Sequence, residues 1–133
     1  MFIDCTAETG GAIYTDSNVT VLNSKFTGCS CVSDSWDAEG GAIYIDDYGF
    51  ITNCTFINCS TTSPNEWSGG GAIYVDSSYL SVLNSTFINN TGSLGGAIYL
   101  YFADDEYEGV RSNQVIGSTF INNSALRGGA IFE

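Results

Sequence analysis

Gly40-Gly41-Ala42-Ile43-Tyr44, followed twelve residues later by Phe56-Ile57-Asn58-Cys59, is the stretch that decides the fold, because both strings recur along the chain. The first returns at Gly10, Gly70 and Gly95, and as Gly-Gly-Ala-Ile-Phe at Gly128. The second returns in looser form at Phe2, Phe26, Phe87 and Phe120. The distances between successive Gly-Gly starts are unequal while the motifs stay constant. That combination means fixed strands joined by variable loops, the mark of a solenoid rather than of a compact globule.

Counting back from each Phe exposes a third column. Five residues earlier stand Val21, Ile51, Val82 and Val115; three earlier stand Asn23, Asn53, Asn84 and Gly117. An apolar residue, then Asn or Gly, then Phe reads as strand, sharp bend, strand, since Asn and Gly tolerate left-handed backbone. Ser24, Cys54, Ser85 and Ser118, two before each Phe, are small enough to point inward beside it. No segment carries a helical apolar period. These columns predict an all-β chain: a right-handed parallel β-helix of about five coils, three short strands per coil, with matching positions stacked about 4.8 Å apart. Residues 1–133 form a single segment of it, and because both ends fall in mid-pattern it is expected to belong to a longer repeat protein or filament. The expected interior includes Ile43, Val82, Phe56 and Phe87.

The paired GGAI and FxxN repeats resemble those of the chlamydial polymorphic outer membrane proteins and related adhesin-like proteins of other microbes. The resemblance implies a β-helical passenger exposed on a cell surface and used for adhesion. Extracellular or cell-surface placement follows as an expectation, although the first residues lack the basic and apolar regions of a signal peptide.

Charge narrows the function further. Fifteen acidic side chains against three basic ones, Lys25, Arg111 and Arg127, leave a formal charge of −12. Such a surface repels nucleic acid and anionic lipid. Nor does any run approach the ~20 apolar residues of a membrane-crossing helix.

Alternation places Tyr14, Tyr44, Tyr74 and Tyr99 on the opposite face from the isoleucines, together with Asp16, Asp46 and Asp76. Carboxylates belong outside, so an exposed tyrosine ladder beside an aspartate ladder is expected. It would either bind a host or matrix glycan or protein, or simply stabilise the parallel sheet. The aspartates, with Asp46-Asp47 and Asp104-Asp105-Glu106, would either hold a calcium ion, the one cofactor the pattern suggests, or form a solvated acidic face. Trp36 and Trp67 sit in the two long loops that precede a Gly-Gly, where they make a recognition patch or cover the open side of the core.

Cys5, Cys29 and Cys59 share one column, three residues after Phe, where later coils carry Asn90 and Asn123; Cys31 lies beside it. At least one disulfide drawn from these four is expected, and bridges through Cys31 strain least; a reduced, buried stack is the alternative. Cys54 is expected inward as a free thiol. Of six Asn-x-Ser/Thr sequons, Asn18, Asn58 and Asn89 are the preferred glycosylation sites, because Asn53 and Asn84 occupy the tight bend.

With no histidine and few basic residues, the chain lacks the proton acceptors and basic subsites of lyases and polygalacturonases with this architecture. It is expected not to be an enzyme; a polysaccharide-active β-helix working through paired carboxylates is the alternative. Unpaired strand edges at the open ends of a solenoid also predict end-to-end stacking, with another copy or with adjoining repeats.

Overall fold

The computed structural model describes residues 1–76, 79–102 and 113–133; the acidic run Asp104-Asp105-Glu106 and Arg111 lie outside the described residues. The chain winds as a right-handed parallel β-helix of about four turns. One sheet stacks the Phe strands, Phe2–Ile3, Lys25–Thr27, Thr55–Ile57, Thr86–Ile88 and Thr119–Ile121. A second stacks the strands of the Gly-Gly motif, Ile13–Thr15, Ile43–Ile45, Ile73–Asp76, Ile98–Tyr101 and Ile131–Phe132. A third stacks Val19–Leu22, Gly49–Thr52, Leu80–Leu83 and Gln114–Ile116. Among the described residues no helix is long and apolar enough to cross a membrane.

Registers follow the motif columns. Phe26 pairs with Phe56, Phe56 with Phe87, Ile43 with Ile73, and Ile51 with Val82. Each coil thus places the same side chain over its neighbour, and the expected interior is sealed: Ile43, Phe56, Val82 and Phe87 are fully buried. Val115, in the last strand of its sheet, is exposed because no further coil covers it.

The coil has one more side than its apolar pattern announces. Thr6–Ala7, Ser30–Val32 and Ser60–Thr62 form a fourth, three-stranded sheet directly after the cysteine column, which corrects the expectation of three strands per coil. Single bridges continue it from Ser60 to Thr91 and from Thr91 to Ser124. These strands are short and mostly polar, so they carry no alternating apolar signal.

Three columns are left-handed: the first glycine of each Gly-Gly pair, Gly10, Gly40, Gly70, Gly95 and Gly128, and two bends that flank the Phe strands. The expected bend holds Asn23, Asn53, Asn84 and Gly117, with φ of 50°, 53°, 50° and 61°. The Asn53 amide donates to Asn23 Oδ1 at 3.3 Å, so the bend is also a side-chain ladder. The second bend, two residues after each Phe, runs through Asp4, Gly28, Asn58, Asn89 and Asn122, all at positive φ. It turns the chain from the Phe sheet into the fourth sheet.

Where the cysteine column becomes asparagine, the interior holds a polar ladder. Asn90 is fully buried, accepts from the Cys59 backbone N–H at 2.9 Å, and donates to the Phe56 carbonyl at 3.2 Å and to Asn123 Oδ1 at 2.9 Å. Asn123 repeats the pattern one coil on, accepting from the Asn90 N–H and donating to the Phe87 carbonyl. Replacing Asn90 with leucine strands these backbone groups without water, and a loss of ~2 kcal/mol is expected in a urea titration. A wild-type midpoint would show that the ladder contributes nothing.

Candidate functional site

The tyrosines do point away from the bore, as alternation requires, yet most are not exposed. Tyr74 is 3% exposed, and Tyr44 and Tyr99 are also buried, whereas Tyr14 is 59% exposed. The exposed ladder is corrected for a physical reason. Stacked coils bring the rings together, with Tyr44 and Tyr74 centroids 5.4 Å apart and Tyr99 edge-on to Tyr74 at 5.1 Å, and Leu94 packs on the same cluster.

What remains accessible is the rim of this cluster. Asp37, Glu39, Trp67, Tyr74, Asp76, Tyr99 and Tyr101 line a cleft of about 420 Å³. The sheet supplies Tyr74, Asp76, Tyr99 and Tyr101, and Asp76 stands in register beside Tyr101. The two long loops supply the rest. They are stacked by bonds from Ser63 Oγ to the Trp36 carbonyl at 2.9 Å and from the Ala38 N–H to Ser68 Oγ at 2.7 Å. Glu39 pairs through its backbone with Gly69 in the next coil. Because Gly69 has no side chain, Tyr99 leans over that position, where an added Cβ would meet its ring carbon at 2.5 Å.

Phenols and carboxylates are coupled across this cleft. The Tyr44 hydroxyl donates to Asp76 Oδ2 at 3.3 Å, and Tyr74 and Glu39 lie close enough for each to shift the other's titration. Burial, and then the negative charges of Glu39 and Asp76, push the Tyr74 phenol far above its ordinary range. Burial likewise raises Glu39, with the nearby Tyr74 hydroxyl opposing the rise and Asp76 and Asp37 adding to it. The cleft therefore brings negative charge and aromatic rings together in one lining.

Trp36 and Trp67 are 77% and 64% exposed, so the loop tryptophans present their rings to solvent rather than roofing the core. Trp67 belongs to the cleft; Trp36 borders an adjoining hollow of about 330 Å³ that shares Asp37 and Glu39 with it. Asp37, Glu39 and Tyr101 were not among the expected ligand residues. The available cue was their placement: Glu39 directly precedes a Gly-Gly, where other coils carry Thr9, Gly69, Leu94 and Arg127.

The sheet register carries Thr15 against Ile45 and Ile45 against Val75, so Asp16, Asp46 and Asp76 follow one another in a single column; the Asp46 N–H donates to the Thr15 carbonyl at 3.0 Å, and Asp76 alone of the three lies within a strand. Among the described residues no three carboxylate or thiol side chains converge as metal ligands.

In the structure Cys5, Cys29, Cys31, Cys54 and Cys59 are all free thiols. In-register stacking keeps the Cβ vectors of Cys5, Cys29 and Cys59 parallel, a poor geometry for bridging. Instead the Cys5, Cys29 and Cys59 thiols donate to the carbonyls two residues before them, Ile3, Thr27 and Ile57, at 3.6, 3.9 and 3.7 Å, and Cys31 Sγ donates to the Glu8 carbonyl at 3.0 Å. Burial pushes the Cys59 thiol up to about 12. The folded chain thus holds a proton there that the unfolded chain loses near the ordinary thiol pKa. The associated stability is present below that value and disappears as pH rises toward about 12. Alkaline urea titrations should show this fall, and Cys59→Ala should flatten it; an unchanged slope would refute the assignment.

The sequons divide differently from expectation. Asn58 and Asn89 occupy the second left-handed bend, so like Asn53 and Asn84 they sit at a turn; Asn18 does not. Asn18 is exposed and its Oδ1 accepts the Tyr48 N–H at 3.3 Å.

A family model described as a right-handed β-helix region matches residues 2–132. No curated protein and no solved structure matches the chain.

Proposed function

Since the chain belongs to the right-handed β-helix family, we propose that it serves as a non-catalytic, adhesin-like binding module of an extracellular or cell-surface protein, and that its ligand is a carbohydrate. Fold alone does not select among the activities of such scaffolds. The observation that carries the reading is the cleft, where the exposed Trp67 and Tyr101 rings stand beside Asp37, Glu39 and Asp76. Flat rings stack on the apolar faces of sugars, and carboxylates accept their hydroxyl protons. Its volume falls within the ~300–1,000 Å³ of ordinary small-ligand sites. The likeness of the GGAI and FxxN repeats to chlamydial polymorphic outer membrane proteins supports the surface placement. End-to-end stacking with another copy or with adjoining repeats would extend the same face along a fibre.

Glycan-array screening followed by calorimetry tests this. Trp67→Ala should weaken binding of the best oligosaccharide about tenfold or more, as loss of an exposed aromatic platform does, with circular dichroism unchanged. An array without hits would defeat the proposal.

One observation favours a catalytic reading: Glu39 is raised by burial beside two other carboxylates, as a general acid for glycoside hydrolysis would be. New reducing ends released by the wild type and abolished by Glu39→Gln would replace the binding module with an enzyme.

A further inference from the structure

The cleft has a charge character that a neutral sugar would not exploit. Asp37, Glu39 and Asp76 line it together with Trp67, Tyr74 and Tyr101, and among the described residues no lysine or arginine lines it. Of the two basic residues in the described part of the chain, Lys25 lies in the Phe sheet and Arg127 lines a separate hollow with Trp67. A polyuronate or sulfated glycan would meet like charge at every subsite, in a chain already at −12.

We propose that the cleft selects glycans bearing free, protonated amines, such as oligomers of glucosamine. This rests on the carbohydrate-binding reading above. A protonated amino sugar matches both halves of the lining at once. Its ring face lies on Trp67 or Tyr101, while the ammonium is attracted to the carboxylates and to the negative faces of the same rings. Two of the acceptors are held in advance: the Tyr44 hydroxyl bonds Asp76, and the Glu39 backbone is bridged to Gly69 of the next coil, so these carboxylates need little ordering on binding. A lysine-rich peptide supplies the same charge but not a rigid apolar face for the exposed indole.

Calorimetry with four probes separates the possibilities: a glucosamine tetramer, its fully N-acetylated counterpart, a cello-oligosaccharide and tetralysine, at a pH where the free amine is protonated. The expected result is binding of the glucosamine tetramer, weakened by added salt and at least about tenfold tighter than the other three, the range open to a cation near both rings and carboxylates. The paired substitution Asp37→Asn with Glu39→Gln keeps side-chain shape and should remove that preference, and Trp67→Ala should weaken the remaining binding. Equal affinity for the acetylated or cello-oligosaccharide would overturn the amine selectivity while leaving carbohydrate binding intact. Tighter binding of tetralysine would assign the site to basic peptides instead. Failure of all probes, with Trp67→Ala inert on a full glycan array, would remove both readings.

Discussion

Replacing Phe56 with alanine is expected to destabilise the chain by ~3–5 kcal/mol, the cost of deleting a fully buried ring and leaving a cavity. The ring sits in a continuous stack. Its centroid is 4.7 Å from Phe26 and 4.8 Å from Phe87, with interplanar angles of 3° and 5°. Those separations lie in the range of offset-stacked aromatic pairs, so some ring attraction adds to burial. No neighbour can collapse into the gap, because Phe26 and Phe87 are held in place by their own sheet registers. Against a typical total of ~5–15 kcal/mol, such a loss is large. Urea denaturation followed by circular dichroism measures it, with Phe56→Leu as a milder control. An alanine variant with the wild-type midpoint would mean that the Phe stack is dispensable.

A methyl group at Gly41 should cost at least ~3 kcal/mol, the upper range of overpacking penalties. A Cβ there would lie 2.0 Å from the Gly71 carbonyl oxygen and 2.6 Å from that of Ser60. Both obstacles are backbone atoms, so no rotamer relieves the clash and the coils themselves must separate. The same motif position in the last row, which no further row covers, supplies an internal control. At Gly129 the nearest atom to an added Cβ is the Asn123 carbonyl oxygen, 3.6 Å away. Gly129→Ala should therefore leave the midpoint nearly unchanged. Equal effects at the two positions would indicate that glycine flexibility, rather than contact between coils, explains the motif.

The amino-acid sequence alone determined the solenoid, its inward columns and one of its bends. In a parallel stack every coil sets the same demand at the same position, so Ile43, Phe56 and Asn53 recur as visible repeats, and repetition replaces the missing long-range information. The fourth sheet was invisible because Thr6–Ala7 and Ser60–Thr62 contain too little apolar alternation to register. The second bend was hidden by its mixed occupants, Asp4, Gly28 and Asn58, which share a backbone conformation but not a side chain.

The cleft was decided only by the tertiary structure. Alternation along a strand tells which way Tyr74 points, but its burial depends on the rings stacked above and below it and on loops that belong to other coils. Glu39 and Trp67 are 28 residues apart in sequence and meet only because the variable loops of adjacent coils are held side by side. The same physics separates the two kinds of knowledge throughout this chain. Residues that repeat are specified by the coil they belong to, whereas the cleft joins repeating positions, Tyr74, Asp76 and Tyr99, to loop residues that do not repeat, Asp37, Glu39 and Trp67, and their meeting requires the coils to be stacked first.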